Sequence, residues 1–418
     1  MADTYQRLTD EVSALLGTPA TLENRDFGLI AFAAHESVDA SAMDPVRTRT
    51  ILQRRSSAEV RQWFESFGIT RARGPVRIPP DPAAGVTTGR ICLPVRHHGV
   101  VHGYIWLLDQ GALDLGDPRL ADALAVADRI GALLAAETAE AARPAELLHG
   151  LLTGPPRRRA DTAAELGQVL GPAGAGPLAV VAVVPWDAAD TAGDPAPLPP
   201  VPGAVAVAAT CTVPRAWAAP RRFGHGDPPA AARPGPREPH AGLAALVRLR
   251  TPGSLAPAHS AAQRLLDLTD TPGGSADAPT GAGGRRVAGL SAPCHRLTAV
   301  PDAWRQALGA ARAAYASGEP LARWDRIGPY RLLTALPDDL GTDPAAAVLL
   351  RPEHRELART AETYLDCAGQ AGRTARLLGV HRQTLYYRLA RVEQLTGLDL
   401  SSGEDRLLLH MALKAARL

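Results

Sequence analysis

Two short helical patterns joined by one glycine place the strongest constraint on how this chain folds. Ala371–Leu378 has the spacing of a short helix, and a second helical pattern begins at about His381 and runs to about Leu395. Gly379, between them, can adopt the left-handed backbone that a tight turn between helices requires. Ala375 is small enough for the second helix to approach closely. The segment therefore predicts a compact helix-turn-helix hairpin.

The second helix divides its side chains between two faces. Leu385, Leu389 and Val392 recur at i, i+4 and i+7 and form one apolar stripe. At about 100° per residue, seven polar residues point away from this stripe or flank it. They are Gln383, Thr384, Tyr387 and Arg391, which point away, and Arg382, Tyr386 and Arg388, which flank it. Such a helix packs through one face and leaves the other free to enter the major groove of DNA.

The local charge agrees with this division. Residues 371–391 contain no acidic residue, whereas the whole chain, with 45 basic and 43 acidic residues, carries a net charge of only +2. The arginines of the segment are Arg373, Arg376, Arg382, Arg388 and Arg391. A localised basic patch on a nearly neutral protein is typical of phosphate binding. The alternative is an amphipathic hairpin with a solvated basic face, and charge alone does not distinguish the two.

Residues 357–418 resemble the C-terminal domain of PucR-family transcriptional regulators, which is related to the Fis-type helix-turn-helix. The matching segments are TARLLGVHRQTLYYRLARVEQLTGLDL and EDRLLLHMALKAARL. The first contains the family string Val-His-Arg-x-Thr-Leu-x-Tyr-Arg-Leu, at residues 380–389. The chain departs from the family at Gln383, where Asn is common, and at Tyr386, where Arg is frequent. We expect the helix and the fold to survive both changes.

The resemblance implies two kinds of contact with a double-stranded DNA operator. The base edges are read by Arg382, Gln383, Thr384 and Tyr387. The phosphates are contacted by Arg373, Thr374, Arg388 and Arg391. Arginine pairs with guanine and glutamine with adenine, whereas phosphate contacts position the domain without reading sequence. His381 lies near the N-cap of the second helix, and Tyr386 either contacts a phosphate or packs.

Helical patterns on both sides of the hairpin complete this domain. Residues 356–367 precede the hairpin and residues 404–416 follow it. We expect Leu407, Leu408 and Met411 to pack the last helix against the hairpin. The sequence therefore predicts that residues 341–418 form an all-α DNA-binding domain.

The first 143 residues predict an α+β module. Helical spacing recurs in residues 4–17, 47–67 and 117–140. Residues 26–34 predict a strand, and residues 90–109 contain two alternating apolar segments around a His97-His98-Gly99 turn, which predicts a hairpin. This order, and the hairpin ICLPVRHHGVVHGYIWLLD in particular, resembles the GAF-like sensor fold. The resemblance implies that residues 1–143 form a sensor domain.

Residues 144–340 alternate between strand and helix patterns, which favours an α/β domain. Strands are predicted at residues 178–185, 203–211, 242–250, 287–292 and 330–336, and helices at residues 145–152, 160–170, 258–268 and 302–316. The Pro/Gly-rich stretches between them are residues 186–203, 224–240 and 270–285. Such stretches are loops or linkers. VAGLSAPCHRLTAVPDAWRQALGAARAA and GPYRLLTALPDD resemble the degenerate cyclase-like domain of PucR/CdaR-type regulators, so the whole chain is expected to be a multidomain α+β protein.

The sequence offers no catalytic constellation. A nucleotide cyclase needs paired carboxylates to hold a divalent metal. No Gly-Gly-Asp/Glu-Glu-Phe string is present, and Gly273-Gly274 and Gly283-Gly284 are followed by Ser275 and Arg285. No phosphate-binding Gly-x-x-x-x-Gly-Lys-Ser/Thr loop is present either, and the one lysine of the chain is Lys414. We therefore expect no enzymatic activity and no cofactor, and a central domain used for dimerisation or signal relay.

No metal site is expected either. His97, His98 and His102 lie near one turn, but adjacent histidines in a strand point to opposite faces, which favours a polar turn over a metal site. Tyr104 and Trp106 are expected to be core aromatics. The cysteines are scattered, at positions 92, 211, 294 and 367, so we expect buried, reduced thiols. The longest apolar run, residues 178–186, is too short to cross a bilayer, and we expect a soluble cytoplasmic protein.

Three functions are compatible with these features. The first is a sequence-specific transcriptional regulator that senses a small metabolite through its N-terminal domain and binds inverted half-sites as a homodimer. The second is a cyclase-like nucleotide-signalling enzyme with a DNA-binding tail, which the missing acidic metal ligands disfavour. The third is a nucleoid protein that binds DNA without sequence preference.

Overall fold

The computed structural model describes residues 2–33, 45–109, 111, 113–186, 201, 203–212, 241–267, 286–334 and 343–418. The chain forms two compact units, Met1–Ala142 and Arg143–Leu418. Most of the three Pro/Gly-rich stretches lies outside the described residues. No helix in the described ranges combines the length and the apolar content that a bilayer crossing needs.

The first unit contains a five-stranded antiparallel sheet. Its strands are β1 (Ala20–Asn24), β2 (Leu29–Ala33), β3 (Val76–Ile78), β4 (Gly89–His97) and β5 (Val100–Asp109), in the spatial order β2-β1-β5-β4-β3. The predicted hairpin is confirmed, since β4 pairs with β5 through a two-residue turn. His98 and Gly99 in this turn both have positive φ, 46° and 83°. This is the backbone geometry that fits the twist of paired strands.

Helices pack on both faces of this sheet. They are α1 (Ala2–Leu16), α2 (Pro45–Gln53), α3 (Ala58–Glu65) and α4 (Pro118–Thr153). Leucine and valine side chains of α1 and α4 cover one face, and an aromatic cluster fills the other. The sequence predicted one strand over residues 26–34 and one helix over residues 47–67. The chain instead turns at Phe27 and Arg54, whose φ values of 59° and 55° are incompatible with either element.

Helix α4 is continuous through Pro144, where the sequence predicted the start of a new region. Proline inside a helix removes one backbone hydrogen bond and crowds the preceding turn. Leu147, Leu148 and Leu151 beyond it are nevertheless buried in an apolar core of the second unit. The helix persists because this burial offsets the cost of the proline.

A buried carboxylate lies within the aromatic cluster of the first unit. Glu23 is only 4% exposed, and its Oε2 accepts a hydrogen bond from Nε1 of Trp106 at 2.9 Å. Burial raises the pKa of Glu23 to about 7, although the hydrogen bond from Trp106 and the charge of Arg90 oppose this rise. Tyr104 and Trp106 pack against Phe27 in the same cluster, so the expectation that they are core aromatics is confirmed.

The histidines at the hairpin turn do not point to opposite faces as the sequence predicted. The ring centroids of His97 and His98 are 4.0 Å apart. The reason is that His98 belongs to the turn, with positive φ, and so leaves the alternation of the strand. Within the described ranges, no three His, Cys, Asp or Glu side chains come together as a metal-binding group.

The second unit begins with a five-stranded sheet covered on both faces. Its strands are β6 (Leu178–Val184), β7 (Ala204–Thr212), β8 (Ala241–Arg248), β9 (Val287–Leu290) and β10 (Leu321–Arg323), in the order β10-β9-β6-β8-β7. Its helices are α5 (Arg159–Leu170), α6 (Ala256–Asp267) and α7 (Val300–Ser317). Alternate residues of β6 contact α5 and α7 on one face and α6 on the other. An apolar run is expected of a strand buried on both faces.

One predicted strand of this region is wrong. Tyr330–Leu333 is a short helix, α8, and not the start of a strand over residues 330–336, of which residues 335 and 336 lie outside the described ranges. The edge of the sheet beside β9 is already occupied by β10, which pairs with it in parallel. Cys92, Cys294 and Cys367 are buried free thiols, as expected, whereas the side chain of Cys211 lies outside the described residues.

Candidate nucleic-acid interface

Five helices form the C-terminal region of the second unit. They are α9 (Pro344–Ala347), α10 (Arg355–Asp366), α11 (Ala371–Leu378), α12 (Arg382–Thr396) and α13 (Gly403–Ala415). Leu365 of α10, Ala375 of α11, Leu385 of α12 and Leu409 of α13 meet in one apolar core. The helix bounds agree with the sequence prediction to within about one residue, which is within the usual scatter of helix ends.

The packing face of α13 differs from the prediction. Leu407 and Leu408 are 61% and 40% exposed, whereas Leu409, Ala412 and Leu413 are buried. The buried residues follow the i, i+3, i+4 spacing of one helix face, and this spacing excludes the two leucines before them. The expectation that Leu407 and Leu408 pack against the hairpin is therefore wrong.

The turn between α11 and α12 has the geometry that its glycine allows. Gly379 has φ 67°, and the N–H of Val380 donates to the carbonyl of Ala375 at 3.0 Å. His381 then caps α12, since its Nδ1 accepts a hydrogen bond from the N–H of Gln383 at 3.3 Å. The predicted N-cap position of His381 is confirmed. Together the two features fix the angle at which α12 leaves the turn.

Helix α12 is amphipathic in the predicted sense. Leu385, Leu389 and Val392 are buried in the core. The exposed side chains are Arg382, Gln383, Thr384, Tyr386, Tyr387 and Arg391. Tyr387 is 75% exposed and Tyr386 is 58% exposed, so neither ring packs in the core of its own domain. Exposing two large aromatic rings to water is unfavourable, which makes these rings candidates for contact with a partner.

Four arginines of the hairpin have no carboxylate partner within the described ranges. They are Arg373, Arg376, Arg382 and Arg391. Arg391 donates only to the neutral Oε1 of Gln394, at 3.1 Å. The guanidinium of Arg382 lies against Gly372 of α11, so a side chain at position 372 would displace it. The positive charge of this surface is therefore not neutralised by the domain itself.

Arg388 is held by its own domain. Its Nη2 lies 2.9 Å from Oε2 of Glu356 on α10, and its Nη1 is 3.5 Å from the hydroxyl of Thr360. Its side chain is only 22% exposed. The sequence predicted a phosphate contact here, but Glu356 competes for this guanidinium, so Arg388 joins α12 to α10. Sequence spacing could not reveal this pair, because Glu356 lies on a different helix.

The predicted phosphate contact of Thr374 also needs correction. Thr374 is fully buried, and its hydroxyl donates to the carbonyl of Gln370 at 3.0 Å. It lies beside Ala375 on the inward side of α11, where a phosphate cannot reach it. A threonine hydroxyl that bonds back to the preceding turn is common in helices.

A network of charges joins α13 to α10 on another part of the domain. Nζ of Lys414 lies 2.9 Å from Oε1 of Glu362 and 2.9 Å from Oδ2 of Asp366. His410 contacts Asp366, and Arg417 contacts Glu362. Burial acts to raise the pKa of Asp366, but hydrogen bonds from Lys414 and His410 outweigh it and hold this pKa below its usual value. This network could not be predicted from the sequence, because its partners lie on two different helices.

The comparisons with known proteins concern mainly this region. Residues 357–415 match the family model described as the PucR C-terminal helix-turn-helix domain. The chain is 31% identical over 137 residues to the purine catabolism regulatory protein of Bacillus subtilis (strain 168), covering 31% of this chain and 26% of the relative. It is 41% identical over 91 residues to the carbohydrate diacid regulator of Escherichia coli (strain K12), covering 20% of this chain and 24% of the relative. The aligned segments thus span about a quarter of each of these relatives.

A third relative is covered more completely. The chain is 35% identical over 136 residues to an uncharacterized protein in the pkwA 5' region of Thermomonospora curvata, covering 30% of this chain and 72% of the relative. The family match falls on α10 to α13, the helices that form the amphipathic surface described above. Residues 357–415 therefore belong to the family of PucR C-terminal helix-turn-helix domains.

Proposed function

We propose that this protein is a sequence-specific regulator that reads its operator with the exposed face of α12. One observation carries the proposal. The side chains of α12 that face solvent are cations, amides, hydroxyls and tyrosines, while its leucines and valine are buried. A helix with this division can insert into the major groove without disturbing the core of its domain.

Base reading falls to the first two turns of α12. Arg382 can donate two parallel hydrogen bonds to O6 and N7 of guanine, and Gln383 can pair in the same way with N6 and N7 of adenine. Thr384 and Tyr387 add a hydroxyl each, and all four side chains are exposed. These groups match the donor and acceptor pattern of base edges in the major groove.

Phosphate contacts surround this reading surface. Arg373 and Arg376 on α11 and Arg391 on α12 are exposed cations without a carboxylate partner in the described ranges. Tyr386 and His381 are exposed at the same end of α12 and can add hydrogen bonds to phosphate oxygens. Arg388 and Thr374 are left out of this set because Glu356 and Gln370 already bind them. Such contacts raise affinity for every sequence alike.

The remainder of the chain supplies control and assembly in this proposal. The antiparallel sheet and flanking helices of the first unit support a GAF-like sensor for a small metabolite, residues 1–143. Residues 144–340 form the cyclase-like domain and residues 341–418 the DNA-binding domain. The described strands β6 to β10 carry no aspartate or glutamate, so they offer no paired carboxylates for metal-assisted catalysis. This supports a relay or dimerisation role over an enzymatic one.

Two copies on inverted half-sites would double the few base pairs that one helix reads. The homodimer is tested by light scattering of the full chain with and without operator. Twice the monomer mass on DNA supports it, and one copy per operator contradicts it.

Sequence specificity is tested by selection of genomic fragments. The purified full chain is mixed with sheared genomic DNA at physiological salt, and the bound fragments are sequenced. The proposal predicts that a short shared motif is enriched, with inverted symmetry. Equal recovery of all fragments would instead identify a nucleoid protein that binds without sequence preference.

A further inference from the structure

A cavity of about 560 Å³ opens to solvent beside the turn between β4 and β5 in the first unit. It is lined by Arg73, Arg96, His97, His98, Gly99 and Asp128. Two arginines and two imidazoles thus share one space with a single carboxylate. Since arginine stays protonated at any physiological pH, the cavity carries net positive charge even when both histidines are neutral.

Arg96 is fixed at this site by the main chain. Its Nη1 donates to the carbonyl of Ala72 at 3.0 Å, and its Nη2 donates to the carbonyl of Gly99. A guanidinium has five N–H donors, so these bonds orient the group and leave donors for a ligand. An anion that binds here loses little free energy in ordering the side chain, because it is already ordered.

The wall of the cavity is equally constrained. Helix α4 approaches the end of β4 so closely at Gly131 that a Cβ there would collide with the carbonyl oxygen of Arg96. Asp128 precedes this contact by three residues on the same helix, which brings its carboxylate to the cavity. The cationic turn and the acidic residue therefore belong to two elements in rigid contact.

We propose that this cavity binds a small metabolite carrying two negative charges on oxygen atoms, either a phosphate monoester or a dicarboxylate. Arginine pairs with both groups through parallel hydrogen bonds. With Asp128 opposing the two arginines, the cavity keeps a net charge of about +1, so it attracts a dianion about twice as strongly as a monoanion. This inference rests on the metabolite control proposed above and names the chemical class of the effector.

The test uses the full chain and two defined probes, inorganic phosphate and malonate, titrated by calorimetry at low salt. At least one probe should bind. Tighter binding of phosphate indicates a phosphate monoester as the ligand, and tighter binding of malonate indicates a dicarboxylate. Arg73→Gln should weaken binding about tenfold, since a charge-assisted pair is lost. Asp128→Asn should tighten binding about threefold, because a repulsive charge is removed. Arg71→Gln, an exposed arginine outside the cavity lining, is the matched control and should change nothing.

Two results would overturn the site. One is the absence of binding by both probes at millimolar concentration. The other is binding that Arg73→Gln and Asp128→Asn leave unchanged, which would locate the anion elsewhere. Operator affinity is measured separately with each probe present. If the probe binds and the variants respond but operator affinity does not change, the site stands and metabolite control through it fails. If no probe binds and the operator is still recognised, the anion site is wrong and the proposed DNA-binding function stands.

Discussion

Helices α12 and α13 belong to the same domain and both carry basic side chains, yet they use them in opposite ways. On α13, Lys414 is neutralised by Glu362 and Asp366 of α10, and His410 contacts the same Asp366. On α12, Arg382 and Arg391 have no acidic partner within the described ranges. Cations that are paired inside a domain help to stabilise its fold. Unpaired cations repel one another, and binding an external anion lowers their electrostatic free energy.

Basic composition alone therefore does not identify a DNA-binding helix. Arg388 shows this within α12 itself, because its bond to Glu356 makes it more like the residues of α13. The useful criterion is a cation that is both exposed and without an internal partner.

The largest effect is expected for Arg382→Ala. Loss of a bidentate base contact costs about 1–3 kcal/mol, so we expect operator affinity to fall roughly 5- to 150-fold in an anisotropy titration. The free energy of unfolding should stay within about 0.5 kcal/mol of the wild type, since the side chain is exposed. Arg264→Ala on α6 removes the same charge from another exposed position and serves as the control. Equal losses in both variants would reduce the role of Arg382 to bulk charge.

For α13 we expect the opposite result, a loss of stability without a loss of preference for the operator. Lys414→Met leaves the buried Glu362 and the half-exposed Asp366 with fewer partners, so the free energy of unfolding should fall by about 2 kcal/mol in urea. The preference for operator over scrambled DNA should not change at a temperature where the variant is folded. An unchanged unfolding curve would mean that the network on α13 does not stabilise the domain.

The helix pattern of α11 and α12 could be predicted from the sequence, whereas the ion pairs of α13 could not. The bounds of α11 and α12, the turn at Gly379 and the buried stripe of Leu385, Leu389 and Val392 could be predicted, because each follows from local spacing. The pairing of Lys414 with Glu362 could not, since it depends on how α10 and α13 cross. Which side of a helix is apolar is a local property, whereas the partner of each charge is a tertiary one.

The same limit applies elsewhere in the fold. The hairpin of β4 and β5 was evident from its alternation and its His98-Gly99 turn. The short edge strands β3 and β10 were not predicted, because three residues are too few to show a period. Thr374 was assigned to a phosphate from the family resemblance, but its neighbours in space bury it.

A smaller effect is expected for Arg391→Ala. As a phosphate contact, Arg391 should contribute to all sequences alike, so affinity should fall about threefold to tenfold for operator and scrambled DNA together. The slope of log affinity against log salt should decrease by about one. A selective loss on the operator alone would instead make Arg391 a reader of bases.

The pH dependence of stability should respond to α13. The pKa of Asp366 is lowered in the folded state, so its ionised form contributes stability at pH above its unfolded pKa, near 3.8. That contribution is lost as the pH falls through the folded pKa. Between about pH 5 and pH 2, the free energy of unfolding should therefore fall less for Asp366→Asn than for the wild type. Parallel pH profiles would contradict the role given to this carboxylate.

The division between α12 and α13 is tested most directly by photocrosslinking to DNA. p-Benzoylphenylalanine is placed at position 387 on α12 or at position 407 on α13, two sites where the native side chains are 75% and 61% exposed. Both proteins are bound to the selected operator and irradiated. We expect the probe at position 387 to crosslink to the operator and the probe at position 407 not to. Crosslinking from position 407, or none from position 387 while the operator stays bound, would contradict this expectation.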